Sequence, residues 1–404
     1  MNTATLPSNL APAAAAAPAP TQQEAYLVRA AATRTRSRAR AAEARNQPPH
    51  GLPTYNYLLC SANRCNYLPA HPTTDAEFYE QVMQHRDWAA MDEEEEVVYG
   101  MTQFTGDTSF LADIKSRPRV FCTLHLGSYR QIHHFLLRHG VDFTLVVDNV
   151  TLQQQGDKFL ALRDDNPVYH GGSLRVLNAE APSIGLQMIR EIKSGRSLLF
   201  YIDGNTGVGG MNRQDEKLAL ISFLGRQIFA RKGIAFLAHV TRSPIVPLVA
   251  FRHGPADFEM QFFSPIVPDA EQPREAFAVE TTQRIFQLFE PALRRHPEQW
   301  EGWLYMNHFV DLPALRAEHA APLVLAELPA QPVFNQQRYG LFWQAERPQL
   351  FDRLTYQTFD VSAQLVALLQ QLATLPAEVR QRFAVTPVFQ DLCQRQVIVA
   401  APTV

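Results

Sequence analysis

Cysteine is scarce and dispersed: the chain of 404 residues has four, Cys60, Cys65, Cys122 and Cys393, and no CxxC pair. That spacing argues against a disulfide framework and against a structural zinc site, and it suits a reducing compartment. No apolar run reaches the ~20 residues that a membrane-spanning helix needs. The first 23 residues are rich in Ala and Pro, with no basic region ahead of an apolar stretch, so a secretory signal is not expected. Neither sign of charge dominates: the formal net charge is -3, which gives no general pull toward nucleic acid.

What is present is a 46% hydrophobic composition, enough for one large α/β domain and a smaller appendage. Residues 1–50 read as a disordered or basic tail. Its Ala/Pro stretch buries too little to order itself, and the segment after it carries Arg29, Arg34, Arg36, Arg38, Arg40 and Arg45 among alanines before Gln47-Pro48-Pro49. Such a segment either lies as a basic helix on anionic headgroups or stays solvated. From Thr74 to Gly100 the pattern is helical and holds the run Asp92-Glu93-Glu94-Glu95-Glu96, read as a solvated face or turn without function.

Strands and helices alternate from Pro118 onward. VFCTLHL (120–126) and DFTLVVDN (142–149) flank a helical YRQIHHFLLRHG (129–140), and SIGLQMIREIKSG (183–195) leads to the strand SLLFYID (197–203). ALISFLG reads as strand or loop, Ala230–Val240 as a helix, PIVPLVAFRHG and FEMQFFSPIV as strands, and AVETTQRIFQLFEPALRRHP as an amphipathic helix. This alternation implies an α/β fold over 51–312 with a mostly parallel central sheet flanked by helices, whose chemistry gathers beyond the carboxyl ends of its strands. Residues 313–404 read as a small α+β module, two short strands and a helix pair, either winged-helix-like and peptide-clamping or a cap on the preceding domain.

Three loops stand at strand ends: HLGSYR (125–130), DGNTGVGG (203–210) and FLGRQIFARKG (223–233). GNTGVGG lacks the Gly-Lys-Ser/Thr of a phosphate loop and reads as a turn. His133, His134 and His139 meet no carboxylate or cysteine at metal-ligand spacing and read as structural. Asp164-Asp165 before Asn166-Pro167 is turn chemistry, and Trp300, Trp303 and Tyr305 read as packing.

In order, CTLHLGSYRQI, MIREIKSGRSLLFYIDGNTG, SFLGRQIFARKGIAFLAHVTRSPIVPLV and RRHPEQWEGWLYMNHF resemble four blocks of the lysophospholipid and lipid A (lauroyl/myristoyl) acyltransferase family, over about half the chain. The resemblance implies a glycerolipid acyltransferase-like fold and direct transfer of a fatty acyl group to a lipid or lipid-A-like acceptor. The donor would be the thioester of acyl carrier protein or coenzyme A, with no other cofactor and no metal. It implies His125 as general base, a role worth about two to four orders of magnitude in rate. It also implies a cytoplasmic protein, peripheral on the inner face of the membrane.

The family places an acid five positions after its histidine, and here that place holds Arg130, which cannot accept a hydrogen bond from an imidazole N–H. Three readings follow. Another acid orients His125, with Asp203 and Asp148 the candidates. Or the acceptor is an amine, of a peptide or a secondary metabolite, with Arg130 binding an anionic group. Or the protein binds an acyl chain or a carrier protein without catalysis. The expected catalytic pair is His125 and Asp203, and the expected substrate contacts are Ser128, Arg130, Gly225, Arg226 and Arg231, with Arg213 and Lys232 in the same basic cluster.

Overall fold

Two helix–strand grammars meet in this chain: a parallel, doubly covered sheet in the middle and short antiparallel ladders at the end. The computed structural model describes residues 20–46, 52–161, 169, 171–204, 216–319, 329 and 331–401. The Ala/Pro stretch, Gln47-Pro48-Pro49, Asp164–Pro167, most of the 203–210 loop and Arg213 lie outside these residues. The chain separates into two compact units, Met1–Ala39 with Glu80–Gly302 and Arg40–Tyr79 with Trp303–Val404. This division differs from the segments expected to end at residues 50 and 312.

Four helices come first: α1 (Pro20–Asn46), α2 (Leu52–Tyr67), α3 (Asp75–Asp92) and α4 (Glu96–Gly100). Helix α1 takes the helical one of the two readings of this stretch, and it is packed rather than lying free. In the first unit it buries Tyr26, Ala30, Thr33 and Ser37, one stripe at helical spacing, and leaves Arg29, Arg34, Arg36 and Arg38 outside. The stripe is held by directed bonds as much as by apolar area. The Trp88 indole N–H donates to the Ala30 carbonyl at 2.9 Å, and Ser37 Oγ bonds Asp87. Small and hydroxylic residues carry little hydrophobic signal, which is why the stripe is hard to see in the sequence.

The central sheet has seven strands, β1 (Thr102–Gly106), β2 (Val120–Thr123), β3 (Phe143–Val147), β4 (Leu174–Asn178), β5 (Ser197–Tyr201), β8 (Ile245–Gly254) and β9 (Asp257–Phe262), in the order β1-β9-β8-β2-β5-β3-β4. Every neighbouring pair is parallel except β8 with β9. Strand β2 is buried along its whole length, as a strand covered on both faces must be, and its run Val-Phe-Cys-Thr is correspondingly apolar. Helices α5 (Gln131–Arg138), α6 (Asn149–Ala161), α7 (Ile184–Lys193), α8 (Gly233–Thr241) and α9 (Arg274–Arg295) alternate with the strands. Phe121, Phe135, Phe143, Leu145, Leu199 and Phe262 are among the residues of the core between sheet and helices.

Residues 226–231, read from the sequence as part of the 223–233 loop, are a strand instead, and the helix expected at Ala230–Val240 begins only at Gly233. They form β7 (Arg226–Arg231), which pairs antiparallel with β6 (Leu218–Phe223). Leu224 and Gly225 both have positive φ, +52° and +82°, the two-residue turn that matches the twist of a hairpin.

The second unit contains α2, α10 (Leu312–Glu318), a β10 (Pro332–Phe334) and β14 (Ile398–Ala400) pair, and a sheet of β11 (Tyr339–Gln344), β12 (Arg347–Asp352) and β13 (Gln357–Asp360). Helices α11 (Ala363–Gln371), α12 (Ala377–Ala384) and α13 (Pro387–Gln394) complete it, with Leu369, Leu372, Phe389 and Leu392 in their shared core.

Candidate active site

The register of two neighbouring strands brings the site together. β2 and β5 run parallel with Thr123 opposite Tyr201, and the Ile202 N–H donates to the Thr123 carbonyl at 2.9 Å. Two residues further along each strand stand His125 and Asp203. Adjacent strands lie about 4.8 Å apart, so equal offsets place the two side chains at one spot beyond the carboxyl edge.

There, His125 Nδ1 is 2.8 Å from Asp203 Oδ1, and the His125 backbone N–H reaches the same carboxylate at 3.0 Å from Oδ2. The Trp300 indole N–H donates to Oδ2 at 2.6 Å. A carboxylate only accepts, so Nδ1 carries the imidazole proton and Nε2 the lone pair. The ring lies on Tyr201, with centroids 4.6 Å apart and planes 28° apart, and meets the edge of Tyr129 at 4.9 Å. The His125 side chain retains 23% exposure and Asp203 only 1%, so the imidazole is reachable and its acid is not.

Burial acts to lower the His125 pKa, but the charge and hydrogen bond of Asp203, with the Glu301 charge, outweigh it and hold the imidazole above its ordinary value. The other histidines behave oppositely. Burial brings His133 down to about 4 although Glu93 pulls the other way, and burial likewise lowers His134. His133 Nε2 bonds the Tyr201 hydroxyl at 2.9 Å. His134 Nε2 donates to the Glu93 carbonyl at 2.8 Å, and its Nδ1 lies 2.8 Å from the Tyr169 hydroxyl. Asp148, the other acid candidate, caps α6 by accepting from the Thr151 N–H and hydroxyl, both at 2.8 Å.

Arg130, in the place of the family's acid, points into a different set of partners. Its Nη1 donates to Glu93 at 2.9 Å and to Gln155 at 3.0 Å, and its Nε to the Tyr129 hydroxyl at 3.2 Å. The Tyr129 hydroxyl in turn donates to Glu301 at 3.1 Å. Ser128, expected to touch substrate, is buried and donates to Asp92 at 2.6 Å. Asp92 also takes the Tyr26 hydroxyl at 2.8 Å and pairs with Arg252, whose guanidinium lies 4.5 Å from the Trp88 ring centroid. The acidic run thus divides: Asp92 and Glu93 are buried anchors, while Glu94 and Glu96 are exposed. Its reading as a wholly solvated face is corrected by arginines far away in sequence, which make burial of both acids tolerable.

The closing block holds the histidine loop in place. The Gly127 N–H donates to the Gln299 carbonyl at 2.9 Å and the Glu301 N–H to the His125 carbonyl at 3.0 Å, with Leu126 and Trp300 forming a bridge. The Gln299 side chain fastens Arg252 from both sides, accepting from its N–H at 3.0 Å and donating to its carbonyl at 2.7 Å. Gly127 has φ +57°, and a Cβ there would meet Phe251 Cα at 2.6 Å and the Ala250 carbonyl oxygen at 2.7 Å. Trp300, read from the sequence as packing, therefore bonds the acid directly. Its position just after Pro-Glu-Gln was the available signal.

Gly225, Arg226 and Arg231 sit on the β6–β7 hairpin. Its link to this cluster runs through Phe223, whose ring stands edge-on to Trp300 at 5.9 Å. Lys232 pairs with Glu275. Among the described residues there is no group of three or more His, Cys, Asp or Glu arranged to hold a metal ion.

A mostly parallel α/β sheet with a histidine and a buried carboxylate meeting at its carboxyl edge defines a class of site able to remove a proton from a bound hydroxyl or amine. The family model for bacterial lipid A biosynthesis acyltransferase matches residues 179–307, a segment that includes Asp203, the hairpin and Trp300 but not His125. The resemblance to that family is established over this segment, and it supports a lipid A-type acyltransferase in general, a transferase by class. No curated protein matches the chain.

Proposed function

We propose that the protein transfers a fatty acyl group from a thioester, on acyl carrier protein or coenzyme A, to a hydroxyl or amine of a lipid-type acceptor. His125 Nε2 takes the acceptor proton as the nucleophile attacks the thioester carbonyl. The tetrahedral intermediate then collapses with departure of the thiolate, which regains a proton. Asp203 holds the imidazole by Nδ1 in the tautomer that leaves Nε2 basic and stabilises the imidazolium formed on proton transfer. The observation that carries this reading is the 2.8 Å contact between Nδ1 and a buried carboxylate. It offers an acid in place of the one that the sequence lacks at position 130, which favours catalysis over a silent binder.

Tyr201 beneath the ring and Tyr129 at its edge limit its rotation, so that Nε2 keeps one direction. We place Arg130 and Ser128 as positioning residues, because their polar atoms engage Glu93, Gln155 and Asp92. Arg226 and Arg231 remain the proposed contacts for an anionic acceptor or donor group. No helix among the described residues is long and apolar enough to cross a membrane. Work on a lipid acceptor would then be done peripherally at the membrane surface, which we propose to be the cytoplasmic one.

The test is incubation with acyl thioesters and a panel of hydroxyl- and amine-bearing acceptors, with thiol release and acylated product both followed. His125→Ala should lose both signals. Equal turnover by wild type and variant would remove His125 as the base.

A further inference from the structure

The second unit contains a site that the acyltransferase chemistry does not use. A cavity of about 760 Å³ runs between β13 and α13. Gln357, Phe359 and Val361 line it from one face of β13 and its continuation, spaced by two as strand geometry demands. Leu365, Val388 and Leu392 line it from the helices, and Val388 is 54% exposed.

The strand beside this cavity is an edge. β13 pairs with β12 only, at the end of the order β11-β12-β13. Val361 N–H donates to the Pro348 carbonyl at 3.1 Å, so residues of its parity face β12. Antiparallel strands alternate, which turns the main-chain N–H and C=O of Thr358 and Asp360 outward, and among the described residues no backbone partner takes them. An edge of this kind is a template for another strand.

Charge at the cavity favours an anion. Arg338 is paired with Asp352 at 2.8 Å and Arg395 with Asp391 at 3.0 Å. Arg316 has no carboxylate partner among the described residues; its Nε reaches the Thr355 carbonyl at 3.3 Å. His319 Nε2 lies 3.9 Å from the Glu318 carboxylate, which leaves Arg316 as the cation that carries this preference.

We propose that this groove binds an extended acidic peptide segment that adds to the sheet along β13, with alternate apolar side chains in the cavity and a carboxylate against Arg316. An added strand continues the face of Phe359 and Val361, so every second side chain enters the groove. An acyl chain could fill the apolar part but would leave the outward N–H and C=O groups of β13 without strand partners. The inference stands on the second unit and is independent of the acyltransferase reading.

The experiment pans a random dodecapeptide display library on the full chain and on Thr358→Pro. Proline at an outward-facing edge position blocks the new strand without removing a bond to β12. Enrichment of acidic sequences with alternating apolar residues is expected, with at least tenfold weaker binding to Thr358→Pro and to Arg316→Glu by fluorescence anisotropy of the best peptide. N-methylating the peptide nitrogens of one parity should weaken binding tenfold or more, and methylating the other parity should not, which requires no protein variant. No enrichment, preference for basic sequences, indifference to N-methylation, or displacement of the peptide by dodecanoate with no loss in Thr358→Pro would each overturn the proposal.

Discussion

Asp203 Oδ1 stands 2.8 Å from His125 Nδ1 across 78 residues of sequence, because both follow neighbouring parallel strands by the same two-residue offset. A carboxylate delivered from the adjacent strand can orient the imidazole as one delivered from the following helix would. Arg130 in the place of an acid therefore does not deprive His125 of a carboxylate partner.

The raised pKa of His125 has two consequences with definite signs. A general base must be neutral, so kcat/KM should rise with pH through a midpoint above the ordinary histidine value of about 6.5. Asp203→Asn removes the charge that raises it, so the residual activity should show its midpoint at lower pH. For stability the direction reverses: the His125–Asp203 contribution is fully present below the unfolded value and fades as pH rises through the folded one. Titration of the His125 ring by NMR in both proteins reads the midpoint directly, and an unchanged midpoint in Asp203→Asn would rule out this coupling.

Trp300→Phe keeps most of the packing but removes the indole donor from Asp203. A hydrogen bond to a charged group contributes about 1.5–3 kcal/mol, so denaturant unfolding should show a loss of that order. Turnover should fall further than the bound substrate affinity, because the acid loses its fixed orientation while the outer surface is unchanged. A kcat equal to wild type would show that the Trp300 bond does not position Asp203.

Gly127→Ala introduces a Cβ into backbone, against Phe251 Cα at 2.6 Å, at a φ of +57°. Neither clash can be relieved by turning a side chain alone. Destabilisation of about 1–3 kcal/mol is expected, with loss of activity although the residue presents no side chain to substrate. A variant of wild-type melting temperature would contradict the close approach.

Arg130→Glu restores the family's acid at this position and is expected to do harm. It sets a second carboxylate beside the buried Glu93 and removes the guanidinium that pairs with it. Breaking such a pair costs about 3–5 kcal/mol, so the variant should unfold more readily and gain no turnover. Higher activity in this variant would mean that position 130 does address the imidazole.

Much of this was legible in the sequence, and what was not has physical reasons. The buried strand VFCT and the run SLLFY announce themselves, and both His125 and Asp203 follow such runs. That β2 and β5 are neighbours is a matter of strand order, which periodicity does not encode, so Asp148 stands beside Asp203 as a candidate in the sequence, whereas in the structure it caps α6. Helix α1 was hidden because its inward stripe is Tyr26, Ala30, Thr33 and Ser37, with one large apolar body among small and hydroxylic side chains. Asp92 and Glu93 looked solvated because the cations that bury them, Arg252 and Arg130, come from distant elements.

The most direct test of the central claim is a double-mutant comparison of acyl-transfer turnover in His125→Ala, Asp203→Asn and the double variant. If the two residues act as one unit, Asp203→Asn loses about two to four orders of magnitude, and the double variant is no slower than His125→Ala alone. Turnover of Asp203→Asn within twofold of wild type, or losses that multiply in the double variant, would contradict it.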